Sequence, residues 1–243
     1  MLGFLKKWIK ASEATVMEER RKGARFEVPE SYPLKAEVKG VPIAIHDVSL
    51  SGLKVETPDH YDIDDELSIS LSLEEDQVDV IGKVVYKHSD EKLGLFINYN
   101  SSYLNYYYLI APIVIGSSLK EYPTDKVKQD SPNHLKRVYF GAIGSCLSLW
   151  CDENKPDHFE TFELELEKFI VQGKKGKLKY YKTKEESANI SKAHRSSVLV
   201  HLEEDEFQDS IKFFNWLVTS LSDEKIRSQL QTWISETESE QAG

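Results

Sequence analysis

Six short runs decide the fold: PLKAEVKG (33–40), VPIAIHDVS (41–49), GLKVET (52–57), ELSISLSL (66–73), VDVIGKVVYKH (78–88) and KLGLFI (92–97). Each is rich in β-branched residues or alternates apolar with polar, the period of a strand buried on one face. Turn formers punctuate them at Lys39-Gly40, Ser51-Gly52, Pro58-Asp59, Asp64-Asp65, Glu74 to Asp76 and Ser89-Asp90. Short strands at such regular spacing predict an antiparallel barrel or sandwich.

Working outward, Phe4, Leu5, Trp8 and Ile9 fall at helical spacing among Lys6, Lys7 and Lys10, which predicts a short amphipathic helix within residues 1–18. Packing against protein is the preferred reading, because a single short apolar face binds lipid weakly. A basic hinge follows at 20–25. On the other side, Tyr103, Tyr106, Tyr107 and Ile110 predict a helix over 99–112 that closes the domain, taken as 19–116. The polar stretch GSSLKEYPTDKVKQDSPN (116–133) carries two prolines and reads as a linker, 117–132.

Beyond it, residues 133–243 predict an α+β domain: an antiparallel sheet followed by two C-terminal helices. HLKRVYFGAI, CLSLWCDE, TFELELEKFIVQ, KLKYYKT and SSVLVHLE read as strands. Residues 159–170 fit either a helix or a strand; QGKKGK, a hairpin turn into KLKYYKT, favours the strand. The first helix has Asp205 as N-cap, Gln208 three residues on, and an apolar stripe of Phe207, Ile211, Phe214, Leu217, Val218 and Leu221. The second runs from Asp223 to Ile234 with Ile226, Leu230, Trp233 and Ile234 inward.

With 243 residues, 40% of them apolar and 30% charged, the chain can build packed cores, and collagenous or wholly disordered classes drop out. Its longest apolar stretch, YYYLIAPIVIG (106–116), falls short of the roughly 20 residues a spanning helix needs. No apolar signal region follows LGFLKKWIK, so the expected location is the cytoplasm. Cys146 and Cys151 form neither a CxxC pair nor a zinc set and are expected to be reduced. The net charge is −10, and from residue 203 onward ten acids face three bases. Exposed charges are screened beyond roughly 8 Å at physiological salt, so an anion site elsewhere stays open.

Two stretches carry chemistry: RRKGARF (20–26) and DVSLSG (47–52). Arg21 and Arg25 form an RxxxR pair with Arg20 and Lys22 beside them. A guanidinium offers a planar fork of donors that matches phosphate oxygens or the O6/N7 edge of guanine. In the second stretch Asp47 can accept from guanine N1–H and N2–H, Ser49 adds a hydroxyl, and Gly52 a sterically free turn. Either half alone is an ordinary solvated pair or turn.

Together, in this order and spacing, the two stretches resemble the PilZ domain, the bacterial receptor module for cyclic di-GMP. The resemblance covers about 18–112 and continues through DVSLSGLKVET and VDVIGKVVYKHSDEKLGLFI, which ends in Gly94 before Phe96. It implies a six-stranded antiparallel β-barrel with flanking helices and an arginine motif on a flexible segment ahead of the first strand. By similarity Arg21 and Arg25 clamp phosphates and a guanine edge, Asp47 and Ser49 hydrogen-bond guanine, and Gly52 keeps the turn.

The ligand expected is cyclic di-GMP, two molecules per chain if Arg20 engages a second one, with no other cofactor and no metal. An unidentified protein partner is expected to receive the signal, in motility, biofilm or exopolysaccharide control, and a homodimer is left open. The alternative is a PilZ-fold adaptor that has stopped binding nucleotide. Lys174, Lys175, Lys177, Lys179, Lys182 and Lys184 read as a solvated hairpin rather than a nucleic-acid patch. His46 reads as a strand residue, and no GxSxG, P-loop or HExxH motif supports an enzyme.

Overall fold

The computed structural model describes residues 24–30, 32–89, 91–97, 103–130, 134–166, 169–184, 198–201 and 204–241. The helix expected within 1–18 lies outside the described residues, as do Arg20 and Arg21. The chain divides into two compact units, Leu2–Ser117 and Ser118–Gly243.

In the first unit, β1 (Phe26–Glu27), β2 (Leu34–Val38), β3 (Val41–Ser49), β4 (Gly52–Glu56), β5 (Glu66–Leu73), β6 (Asp76–Lys87) and β7 (Lys92–Ile97) form one antiparallel sheet. The order β3-β2-β5-β6-β7-β4 closes on itself, because β4 pairs back with β3 along Ala44 to Ser49. Six strands therefore make a barrel, and β1 lies outside it on β3. The alternation in the sequence fills the interior with Val38, Leu53, Val55, Ile69, Leu71, Val84 and Leu95, all buried. Lys39-Gly40 joins β2 to β3 with φ of 52° and 77°, the pair of left-handed residues whose twist matches that of the flanking strands.

Helix α1 (Tyr103–Ser118) extends past the end expected at residue 112, with Pro112 inside it. A proline in a helix interior costs about 3 kcal/mol. Here the segment from Tyr106 to Gly116 is buried on every side, and that burial outweighs the lost hydrogen bond. Tyr103 Oη donates to Leu50 O at 2.8 Å, and Tyr106 Oη donates to Ser49 O at 2.7 Å and Gly52 O at 3.0 Å. The helix thus ties down the DVSLSG turn by its carbonyls.

The second unit is an antiparallel meander in chain order: β8 (Lys120–Glu121), β9 (His134–Phe140), β10 (Cys146–Asp152), β11 (Lys155–Leu166), β12 (Phe169–Lys174), β13 (Lys177–Lys184) and β14 (Val198–His201). Helices α2 (Glu204–Thr219) and α3 (Glu224–Gln241) follow. Within the polar stretch 117–132, β8 pairs with β9 and Thr124–Lys126 form a 3-10 turn.

TFELELEKFIVQ is extended, as preferred over a helix, but it is two strands and not one: Leu166 pairs with Phe169 and Leu164 with Val171 across the β11–β12 hairpin. The reversal lets the apolar residues on both sides of residues 167–168 bury the same sheet face. That face carries Phe162, whose ring lies 5.8 Å from Phe214 of α2 and 5.6 Å from Trp233 of α3. Gly173, opposite Phe162 in the register, leaves room for it, since a Cβ there would fall 2.1 Å from the ring.

Asp223 starts α3 as expected, its Oδ1 accepting from Lys225 N at 3.0 Å and Ile226 N at 3.2 Å. The helix continues past Ile234 to Gln241. Both cysteines are free, and burial raises both thiol pKa values.

Candidate functional site

The DVSLSG motif is the β3–β4 hairpin. Ser49 and Gly52 are its closing pair, and Asp47 stands two residues before the turn. The spacing has a physical reason: one residue before the closing pair Val48 is fully buried in the barrel, so Asp47 and Ser49 share the outer strand face. Gly52 cannot be anything larger, because a Cβ would lie 2.1 Å from Leu95 O on β7. Close strand approach, not only a free turn, therefore demands this glycine.

Beyond Ile43 the outer edge of β3 is no longer covered by β2. Strand β1 takes that place, with Phe26 opposite Val48, Glu27 opposite Asp47, and Val28 N donating to His46 O at 3.3 Å. Docking the segment this way sets Arg25 beside Asp47: Nη1 donates to Oδ1 at 2.8 Å, with side-chain exposures of 34% and 18%. The two residues singled out 22 positions apart are thus brought into contact.

A third participant escapes the sequence. Asp47 faces Lys54, Lys54 faces Gly94 and Gly94 faces Tyr86, one register row running from β3 to β6 across the outside of the barrel. Tyr86 lies over Gly94 so closely that a Cβ there would sit 1.9 Å from the ring. The Arg25 guanidinium carbon stands 5.4 Å from the Tyr86 ring centroid. Arg25 therefore bridges a carboxylate and an aromatic face, a combination that holds a guanidinium by charge and by the ring quadrupole. A register irregularity between Val84 and Tyr86 turns the tyrosine into this row, and no local motif announces it.

Ser49 is only 6% exposed. Its hydroxyl donates to Gly52 O at 3.3 Å and accepts from Ser51 N at 3.4 Å, so it braces the turn. Next to Asp47, His46 Nε2 lies 2.8 Å from Glu56 Oε2, which Lys92 Nζ also approaches at 3.2 Å. These contacts, the histidine first, lower the Glu56 pKa below its ordinary value. The site is a mosaic of a guanidinium, lysines and carboxylates around an aromatic ring. Among the described residues no cluster of three or more histidine, cysteine or carboxylate groups could hold a metal ion.

Residues 19–102 match the PilZ domain family, and no family matches the rest of the chain. The match falls on the barrel unit, whose six closed strands carry the PilZ pattern. No curated protein matches the chain. Among solved structures, the crystal structure of an uncharacterized Legionella protein matches at 18% identity over 36% of this chain and 89% of that one, with a TM-score of 0.30. No helix of the described residues is long and apolar enough to cross a membrane.

Proposed function

We propose that the barrel unit binds cyclic di-GMP against Arg25, Asp47 and the Arg20 and Arg21 that precede them. The observation that carries this reading is the Arg25–Asp47–Tyr86 arrangement on the outer wall of a PilZ barrel. A partly exposed ion pair contributes only about 0.2–1 kcal/mol. A charge-assisted bond to phosphate is worth roughly 1.5–3 kcal/mol. Ligand phosphate therefore competes successfully for Arg25 and frees the Asp47 carboxylate to accept guanine N–H donors. Arg21 supplies the second fork of the RxxxR clamp, Ser49 and Gly52 keep the turn that presents Asp47, and Ser49 hydrogen-bonds guanine if its hydroxyl leaves the turn.

Arg20, Arg21, Lys22 and Arg25 repel one another until a dianion neutralises them. Ligand binding on this reading slows hydrogen exchange at residues 18–27 and passes a signal to a protein partner that acts in motility, biofilm or exopolysaccharide control. Arg20 engages a second, stacked ligand molecule. Calorimetric titration with cyclic di-GMP tests the scheme. Loss of one forked arginine in Arg21→Ala or Arg25→Ala weakens binding by roughly tenfold to a few hundredfold. Arg20→Leu reduces the stoichiometry from two towards one. A wild-type chain that gives no binding heat sinks the proposal, and one that saturates at a single ligand removes the role of Arg20.

A further inference from the structure

The lysine-rich run KKGKLKYYK (174–182) plays no part in the barrel site. It forms the β12–β13 hairpin, turned at Lys175-Gly176 with φ of 49° and 82°. On the sheet face opposite Phe162 it borders a cavity of about 610 Å³ lined by Trp150, Thr161, Glu163, Gln172, Tyr181 and four of its lysines, Lys174, Lys175, Lys177 and Lys179. That volume suits one small ligand, since such pockets span roughly 300–1,000 Å³.

The register arranges the lining in two adjacent rows. One reads Trp150, Thr161, Lys174, Lys177; the other reads Glu163, Gln172, Lys179. Lys174, Lys175 and Lys177 thus gather positive charge at the hairpin end, and in the neighbouring row Lys179 flanks a hydrogen-bonding pair, Gln172 Nε2 donating to Glu163 Oε2 at 2.5 Å. Lys174, Lys175 and Lys179 have no ion-pair partner among the described residues. Trp150 is held in place: Lys136 Nζ lies 4.9 Å from its ring centroid and is itself anchored by Asp130 at 2.9 Å.

We propose that this cavity is a second ligand site, for a nucleoside phosphate: phosphate on the hairpin lysines, the flat base against Trp150, and base N–H groups donating to Glu163. An ammonium is a point-charge phosphate binder, an aromatic face stacks on any base, and a carboxylate accepts adjacent N–H donors. A nucleic-acid strand fits less well. Continued across the sheet, its backbone would pass over Glu163 and Glu165, which lie side by side in space on β11, so the ligand carries its charge at one end only.

The test is a titration of the full chain with GDP, inorganic pyrophosphate and a ten-nucleotide single-stranded RNA. Saturable GDP binding is expected, weakened at least tenfold in Lys174→Ala/Lys179→Ala and in Trp150→Leu. On the wild type, hydrogen exchange slows on adding GDP at 148–152, 161–163 and 172–181, which keeps the test valid where a variant fails to fold. The site is refuted by absent GDP binding, or by pyrophosphate binding as tightly as GDP. It is refuted equally by RNA binding more tightly than GDP, or by GDP binding that disappears in Arg25→Ala, which would locate GDP on the barrel. Failure of cyclic di-GMP to bind the barrel leaves it untouched.

Discussion

The two sheets dispose of their backbone edges in opposite ways. The first closes, β4 onto β3, and its interior is filled by its own side chains, so any ligand chemistry has to sit on the outer wall. The second stays open from β8 to β14, and one face is taken by α2 and α3 through Phe162, Phe214 and Trp233. The difference teaches where to look. On a small barrel the site is a row of residues in register across neighbouring strands, here Asp47, Lys54, Gly94 and Tyr86. On an open sheet it is the face the helices leave.

The comparison breaks most visibly at the cores. Phe162→Ala removes a ring packed on Phe159, Phe214 and Trp233 and costs the second unit about 3–5 kcal/mol. Urea unfolding followed by tryptophan fluorescence reads this directly, because Trp150, Trp216 and Trp233 all lie in that unit.

Next come the glycines of the barrel wall. Gly52→Ala pushes a Cβ against the Leu95 carbonyl, and a fixed backbone cannot yield, so a loss of about 3 kcal/mol is expected. Gly94→Ala instead meets the Tyr86 ring, which can swing away, and costs about 1 kcal/mol in the lower range of overpacking. Thermal melts rank the two variants. The order sharpens if Gly94→Ala still loses cyclic di-GMP affinity, because the ring that supports Arg25 has moved.

Tyr106→Phe removes the donor shared by Ser49 O and Gly52 O, and about 0.5–1.5 kcal/mol follows from the lost hydrogen bonding, since Gly52 O keeps the Ser49 hydroxyl. Calorimetric melting measures it. A smaller effect belongs to pH. Glu56 titrates below its ordinary value of 4.5 because His46 and Lys92 hydrogen-bond it. Its contribution to stability is therefore present above that value and fades as pH falls through the lowered one. Wild type loses this increment below about pH 4.5, whereas Glu56→Gln shows no such step in acid unfolding.

Much of the barrel is legible because its strands are short, half-buried and separated by residues that favour turns. Lys39-Gly40 could be read as a hairpin from its residue types alone. Arg25 and Asp47 could be paired because guanidinium and carboxylate chemistry names them in advance. Tyr86 could not, since its place depends on a register shift in β6 and on the missing side chain of Gly94 one strand away. The split of TFELELEKFIVQ was equally hidden. The alternation of Phe162, Leu164 and Leu166 resumes at Ile170 after the charged Glu167-Lys168 pair, which carries no glycine, proline or asparagine to mark a turn, and only the pairing of Leu164 with Val171 turns one apparent strand into two. The end of α1 was not legible from the spacing of its tyrosines, because from Tyr106 to Gly116 the helix is buried all round and has no polar face to mark its period.

The central claim is that Arg25 is held for cyclic di-GMP by Asp47 and Tyr86, and calorimetric titration of wild type, Arg25→Ala, Tyr86→Leu and the double variant tests it most directly. The wild type is expected to bind, Arg25→Ala to lose roughly tenfold to a few hundredfold, and Tyr86→Leu less. The double variant should be little weaker than Arg25→Ala alone, because Tyr86 acts through the guanidinium it supports. A wild type that does not bind, or an Arg25→Ala chain that titrates like wild type, would contradict the account.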